Sequence, residues 1–167
     1  TGIYKASLKE QLSNFAKSLG KTSGSGIIPQ QPATWLEAFF QLENYLESPQ
    51  AKKRPGRKVV FLDELPWINS PRSKFLPALE NFWNSYGSRK NDLVLAVCGS
   101  AASWMIQHLV HSRGGLHNRL TRQIRLLPFT LGETESFFKS SKIKLTRYQI
   151  AELYMAFGGV PYYLKQA

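Results

Sequence analysis

Cysteine and histidine are scarce in this chain of 167 residues, which contains one cysteine, Cys98, and three histidines. A single cysteine excludes an internal disulfide, and so few cysteines and histidines argue against a structural zinc site. Because disulfides are typical of oxidising compartments, their exclusion favours a cytoplasmic protein.

Long apolar runs are also missing. No run approaches the roughly 18 to 20 residues that a membrane-spanning helix needs, and the first residues lack the apolar centre of a signal peptide. The sequence therefore predicts no membrane partner. Hydrophobic residues nevertheless make up 43% of the chain and aromatic residues 13%, which is enough for a packed core and argues against global disorder.

Acidic residues are outnumbered two to one. The chain has 11 aspartates and glutamates against 22 lysines and arginines, so its net charge is +11. A positive charge of this size attracts phosphates, either of a nucleotide or of a nucleic acid. It could equally belong to one piece of a larger protein whose remainder is acidic, and the charge alone does not separate these interpretations.

Two short apolar runs, residues 59–62 and 93–98, carry the fold prediction. Each is too short for a helix and is typical of a strand buried on both faces, as in a parallel sheet. An amphipathic helix is predicted between them at residues 75–86, and a third strand at residues 123–127. Because strands that alternate with helices require crossovers, we expect a three-layer parallel α/β sheet.

Further helices are indicated by the spacing of apolar residues. Ser7 and Glu10 have the spacing of a capping box, which predicts where the first helix begins. Since no strand separates the helices after Pro128, we expect a core domain at residues 1–129 and a small helical appendage at residues 130–167. These further helices are predicted at residues 7–19, 34–46, 102–111, 131–139 and 146–157.

Polar residues follow both predicted strands at the point where each strand ends. Asp63 and Glu64 come directly after the first strand, and Ser100 follows the second. Ligands of open α/β sheets bind at the carboxyl ends of the strands, so these side chains are expected to share one edge. An apolar strand ending in Asp-Glu is the Walker B pattern of P-loop NTPases, in which the aspartate holds Mg²⁺ and the glutamate polarises the attacking water. The alternatives are an acidic turn and, for Ser100, a helix cap.

Two later segments add candidates. Arg119 and Arg122 precede the third predicted strand, where an arginine could reach a γ-phosphate, although a basic surface turn explains them equally well. Gly158-Gly159-Val160-Pro161 follows an amphipathic helix, and its alternative interpretation is the end of one helix and the start of the next.

Taken in order, these motifs resemble those of the prokaryotic AAA-family ATPases often called archaeal-type ATPases, which are related to the STAND branch of P-loop NTPases. The similarity covers essentially the whole chain, and the four motifs together are specific although each alone is weak. The motifs are Leu62-Asp63-Glu64-Leu65-Pro66-Trp67, Cys98-Gly99-Ser100-Ala101-Ala102-Ser103-Trp104, residues 116–125 with Pro128-Phe129, and Gly158-Gly159-Val160-Pro161-Tyr162-Tyr163-Leu164.

The resemblance implies an ATP-hydrolysing core with ATP and Mg²⁺ as cofactors and with a helical lid near the adenine. A γ-phosphate arginine would act in cis or from a neighbouring subunit. By this resemblance the metal ligand is Asp63, the water-polarising base is Glu64 and the sensor is Ser100. The γ-phosphate arginine is Arg119 or Arg122, and Gly159 with Pro161 belongs to the adenine-side lid.

One motif of that family is missing, the Walker A phosphate loop. Gly20-Lys21-Thr22 lacks the first glycine of the motif, since position 15 is Phe15, and it follows a helix, whereas a phosphate loop follows a strand and opens a helix. We therefore expect a fragment that begins after its phosphate loop and lacks the central strand of its sheet. Such a gap invites pairing with another copy, so the sequence also allows a homo-oligomer.

Two other classes of function remain open: a basic nucleic-acid-binding module and a non-catalytic interaction domain on an NTPase-like fold. The first requires a contiguous basic face and exposed aromatic residues, whereas the aromatic residues here fall mostly on apolar helix stripes. The presence of both Asp63 and Glu64 argues mildly against the second.

Overall fold

The computed structural model describes residues 1–24, 29–110, 116 and 119–166. The chain divides into two compact units, Thr1–Thr121 and Arg122–Ala167. This division falls earlier in the chain than the domain boundary expected after residue 129.

The first unit combines helices with a small parallel sheet. A 3₁₀ turn at Gly87–Arg89 precedes the second strand, and a π-helical turn at Ile106–Val110 continues the last helix. The helix predicted at residues 102–111 is therefore partly π-helical, and residue 111 lies outside the described residues. The helices of this unit are α1 (Leu8–Ser23), α2 (Trp35–Glu47), α3 (Pro49–Lys52), α4 (Leu65–Ile68), α5 (Phe75–Ser85) and α6 (Ala102–Met105), and the strands are β1 (Lys58–Leu62) and β2 (Leu93–Val97).

The two strands lie side by side in parallel, which confirms the prediction for this part of the sheet. Lys58 is opposite Leu93, and Leu62 is opposite Val97. The chain between the strands passes through α4 and α5, because parallel strands cannot be joined by a tight turn. This part of the fold is α/β.

Burial of β1 on both faces was also expected, and this expectation is wrong. Val60 and Leu62 are buried, but the side chains of Val59 and Phe61 are 63% and 59% exposed. Since successive side chains of a strand point to opposite faces, one face of β1 contributes to the core and the other is open.

The third predicted strand, residues 123–127, is not formed. Its apolar side chains Ile124, Leu126 and Leu127 are 68%, 90% and 67% exposed. An apolar composition makes a strand favourable, but a strand also needs a neighbour for its backbone groups, and the sheet of the described residues has two strands, β1 and β2. The three-layer sheet stays a prediction.

Aromatic side chains dominate the core of the first unit. Phe39 of α2 stacks on Phe82 of α5 with ring centroids 5.1 Å apart, and Trp35 meets Phe75 edge-on at 4.9 Å. All four side chains are at most 3% exposed. Replacing a buried phenylalanine by alanine typically costs about 3–5 kcal/mol, so these contacts fix α2 against α5.

The first helix begins as its sequence predicts. The Ser7 side chain accepts a hydrogen bond from the backbone N–H of Glu10, and the Glu10 carboxylate accepts one from the backbone N–H of Ser7 at 2.8 Å. A cap of this kind contributes about 1 kcal/mol. In the first unit, the helices predicted at residues 7–19, 34–46 and 75–86 are confirmed with small differences at their ends.

A groove runs beside β1, between this strand and the helices α1 and α2. Its lining includes Phe15, Leu19 and Leu46 as well as Val59 and Phe61. The groove is therefore largely apolar.

The second unit is helical in its described part. One side chain from each helix, Phe138, Ile150 and Leu164, contributes to a separate small core. Its helices are α7 (Leu131–Ser140), α8 (Arg147–Phe157) and α9 (Pro161–Leu164), which confirms the helices predicted at residues 131–139 and 146–157. Among the described residues of both units, no helix has both the length and the apolar character that a membrane crossing needs.

Candidate functional site

The carboxyl ends of β1 and β2 meet at one edge of the sheet because the strands are parallel. Two backbone hydrogen bonds continue the pairing beyond the strands: Cys98 N–H donates to the Leu62 carbonyl at 3.0 Å, and Leu65 N–H donates to the Cys98 carbonyl at 2.9 Å. The dipeptide Asp63-Glu64 lies between these two cross-strand bonds. Its backbone is therefore held firmly against the end of β2.

Asp63 is half-buried, and its carboxylate accepts a hydrogen bond from the thiol of Cys98, with Sγ 2.8 Å from Oδ1. This hydrogen bond holds the pKa of Asp63 below its usual value, against the opposing effect of burial. Burial, and secondly the same contact with Asp63, raise the pKa of the Cys98 thiol. At neutral pH the pair is therefore a carboxylate and a thiol, which are the states that this hydrogen bond requires.

Glu64 has an unusual backbone and a well-defined side-chain partner. Its φ and ψ are 53° and 54°, in the left-handed region, which costs a residue with a side chain roughly 1–2 kcal/mol. Oε2 of Glu64 accepts hydrogen bonds from the backbone N–H of Ser100 at 3.2 Å and from its hydroxyl at 3.0 Å. Ser100 therefore holds the Glu64 carboxylate across the strand ends.

The structure thus brings together three of the predicted site residues, Asp63, Glu64 and Ser100, at the edge where they were expected. Their oxygen atoms are the kind of ligand that Mg²⁺ prefers. No group of three or more Cys, His, Asp or Glu side chains that could hold a metal ion occurs in the part of the chain that the structure describes.

The two candidate arginines lie in different units. Arg119 belongs to the first unit, where its side chain is exposed and its backbone N–H donates to the Leu116 carbonyl at 3.1 Å. Arg122 begins the second unit and is also exposed. His117 and Asn118 of the same motif lie outside the described residues.

Gly159 and Pro161 belong to the second unit, where Gly159 has a structural explanation. A Cβ atom on Gly159 would lie 1.8 Å from the carbonyl oxygen of Phe129, and the Phe129 N–H donates to the Gly159 carbonyl at 2.7 Å. The alternative interpretation of this motif is confirmed, since Gly158, with φ of 63°, ends α8 and the exposed Pro161 begins α9. A contact with adenine stays a prediction.

Gly20-Lys21-Thr22 lies inside α1, which runs to Ser23, and not after the first helix as the sequence predicted. These residues form its last turns, and Gly20 is buried. The carbonyl end of a helix carries a partial negative charge and disfavours phosphate. The structure therefore supports the conclusion that this tripeptide is not a phosphate loop.

Three of the basic residues between positions 52 and 58 make contacts within the fold. Lys52 forms an ion pair with Glu47 at 2.8 Å, and Lys58 forms one with Asp92 at 3.0 Å. Arg54 donates to a backbone carbonyl of α1 at 3.1 Å. These contacts leave fewer of the basic side chains in this stretch free to bind a nucleic acid.

The contact that sequence reasoning missed is the one between Cys98 and Asp63. Cys98 was expected to be an apolar residue of the second strand. The five aligned pairs of β1 and β2 share one sequence offset, 93 − 58 = 35 and 97 − 62 = 35, and the same offset joins Asp63 to Cys98. The two apolar runs, residues 59–62 and 93–98, differ in length and give an offset of 34 by their starts (93 − 59) and 36 by their ends (98 − 62). Neither alignment places the cysteine opposite the aspartate, so the sequence alone carried no signal for this contact.

Comparison with known proteins adds no assignment to this geometry. The site must therefore be interpreted from the positions of Asp63, Glu64, Cys98 and Ser100 alone. No family model, no curated protein and no solved structure matches the chain.

Proposed function

We propose that this chain carries the Mg²⁺-binding and water-activating part of the nucleotide site of a P-loop ATPase related to the AAA and STAND proteins. One observation carries the proposal: Asp63 and Glu64 leave one parallel strand beside Cys98 and Ser100, which leave the next. From the end of the neighbouring strand, the Cys98 thiol bonds to the Asp63 carboxylate, and the hydroxyl and backbone N–H of Ser100 bond to the Glu64 carboxylate. A chance acidic turn does not require partners on a neighbouring strand.

Asp63 is the proposed Mg²⁺ ligand. Its carboxylate is ionised at neutral pH, as an aspartate with its ordinary pKa would be, and the hydrogen bond from the Cys98 thiol, chiefly, lowers this pKa further. Mg²⁺ bound by one or two carboxylates retains sites for substrate phosphates, so an ATP β- or γ-phosphate would complete the coordination. Bound in this way, the cation would neutralise charge that develops on the transferred phosphoryl group.

Glu64 is the proposed base, and Ser100 the residue that orients it. A base must be held within hydrogen-bond reach of the water it activates. The hydroxyl and N–H of Ser100 both bond to Oε2 of Glu64, which leaves Oε1 as the oxygen that could accept a proton from water. In this proposal the same hydroxyl would also act as the sensor that meets the γ-phosphate.

The rest of the nucleotide site belongs to this proposal as well. Arg119 or Arg122 would reach the γ-phosphate, and Gly159 with Pro161 would belong to a lid that covers the adenine. The phosphate loop and a central strand would complete a three-layer parallel sheet, and an assembly of several copies could supply the arginine from a neighbour. Nucleic-acid binding receives less support, because Lys52, Lys58 and Arg54 are engaged in contacts within the fold.

The test replaces the base in a protein that carries this chain together with a phosphate-binding loop. Glu64→Gln should leave ATP binding within a few-fold of normal and lower turnover by about 100-fold or more, since removal of a general base typically costs 10²–10⁴ in rate. Binding is measured by calorimetric titration and turnover by phosphate release.

Glu80→Gln is the matched control, because it makes the same change on α5 in the same unit, and it should hydrolyse ATP at the normal rate. If Glu64→Gln hydrolyses ATP as fast as this control, Glu64 is not the base and the proposal fails.

A further inference from the structure

Cys98 has a position that the proposed chemistry does not yet use. Its backbone bonds to both sides of the Asp63-Glu64 dipeptide, through the Leu62 carbonyl at 3.0 Å and the Leu65 N–H at 2.9 Å. Its side chain is half-buried. The thiol is therefore fixed by the sheet itself and does not depend on a mobile loop.

The thiol donates its one hydrogen bond to the carboxylate that faces it. Sγ lies 2.8 Å from Oδ1 of Asp63, and hydrogen bonds to an ionised acceptor are stronger than those between neutral groups. A carboxylate on a short side chain turns readily about its last bond, and a hydrogen bond to one oxygen restrains this rotation. Replacing a residue that restrains a metal ligand in this way typically lowers the affinity for the metal by about 10- to 100-fold.

We propose that Cys98 is a positioning residue, whose S–H group orients the Asp63 carboxylate for the divalent cation. The presence of the cation rests on the proposed function, whereas the hydrogen bond between Cys98 and Asp63 is independent of it. Cys98 touches neither nucleotide nor water in this scheme and acts through Asp63. Cys98 directly follows the apolar strand β2, so its place in the sequence indicates a core residue and gives no sign of this role.

The hydrogen bond can be tested on the chain as it is, because Cys98 is its single cysteine. Infrared spectroscopy of the S–H stretch then reports on one group. In the unaltered chain the band should lie at lower wavenumber than in Asp63→Ala, where the acceptor is gone. Glu80→Gln, remote in sequence on α5, serves as the control and should leave the band in place. Identical bands in the unaltered chain and in Asp63→Ala would overturn the proposal.

The consequence for the cation is tested through the Mg²⁺ dependence of ATP hydrolysis in a protein that also carries a phosphate-binding loop. Cys98→Ala should raise the Mg²⁺ concentration for half-maximal rate by about 10-fold, with little change in the KM for ATP at saturating Mg²⁺. Cys98→Ser keeps a hydrogen-bond donor and should recover most of this loss.

The serine variant separates positioning from packing. If Cys98 only filled space, Cys98→Ser would be at least as harmful as Cys98→Ala, since a hydroxyl packs less favourably than a thiol against apolar neighbours. That result, or an unchanged Mg²⁺ dependence in Cys98→Ala, would overturn the positioning role. Normal hydrolysis in Glu64→Gln would instead reject the proposed function, so the two failures are distinguishable.

Discussion

Gly99 has no room for a side chain. A Cβ atom there would lie 2.6 Å from Cδ and 3.0 Å from Cγ of Pro66, and 3.1 Å from Sδ of Met105. The methionine side chain can move aside, but the ring of Pro66 is bonded to its own backbone nitrogen in α4 and cannot move without the helix. Since Pro66 follows Glu64 by two residues, a methyl group on Gly99 would press on the turn that places the proposed base.

Gly99→Ala should therefore destabilise the first unit by about 1–3 kcal/mol, the usual cost of overpacking. Urea unfolding followed by tryptophan fluorescence measures this change. Gly132→Ala is the control, because no atom outside its own neighbourhood lies within 4 Å of a Cβ there and alanine is favoured over glycine in a helix. Equal stability of Gly99→Ala and the unaltered chain would show that Pro66 does not confine this position.

At the scale of elements, one acidic side chain joins several helical segments. Glu47, the last residue of α2, accepts hydrogen bonds from Lys52 at the end of α3 at 2.8 Å and from Lys90 at 2.6 Å. It also accepts one from the Tyr86 hydroxyl at the end of α5 at 2.9 Å. These three partners, Lys52 foremost, lower the pKa of Glu47 to about 2. The two cations also offset the unfavourable place of a carboxylate at a helix C-terminus.

This network predicts a pH dependence of stability. The folded-state pKa of Glu47 is lower than that of an unfolded chain, about 4.3, so its contribution is present above that value and is lost as the pH falls towards 2. Between pH 7 and pH 3 the free energy of unfolding should fall less in Glu47→Gln than in the unaltered chain. Chemical denaturation at several pH values measures the difference.

Glu80→Gln is the control, because Glu80 takes part in none of the ion pairs that the described residues form. It should retain the full pH dependence. Parallel curves for Glu47→Gln and the unaltered chain would mean that the network contributes nothing to folding.

The elements that the sequence predicted well are those whose signals are local. The capping residues of α1 and the apolar stripes of α2 and α5 depend on residues a few positions apart, and the structure confirms them. Residues 123–127 failed because a strand is defined by its partner, and no local pattern supplies one. The contact between Cys98 and Asp63 depends on the register of β1 against β2. Two apolar runs of unequal length do not fix that register, and a shift of one residue changes every pair.

At the scale of the whole molecule, this chain alone should not bind Mg-ATP tightly. Backbone N–H groups and a lysine of the phosphate loop supply most of the grip on the β- and γ-phosphates. The one Gly-Lys-Thr tripeptide, residues 20–22, lies in the last turns of α1, where the helix terminus disfavours phosphate. Calorimetric titration of the chain with Mg-ATP should show no saturable binding in the micromolar range.

Inorganic phosphate titrated under the same conditions is the control for binding that depends on charge alone. Micromolar affinity for Mg-ATP would show that the site is complete, and that the phosphate loop has been misplaced in the sequence.

The open side of β1 has a consequence for how the protein behaves in concentrated solution. Val59 and Phe61 are exposed beside an apolar groove, and Leu126 is 90% exposed in a segment that forms neither helix nor strand. Surfaces of this kind favour aggregation through strand pairing, which long-range repulsion between chains of charge +11 opposes. Salt screens that repulsion beyond a Debye length of about 10 Å at 0.1 M. Colloidal stability is therefore set by ionic strength as much as by the fold, and buffers of low ionic strength are the conditions in which the chain stays dispersed.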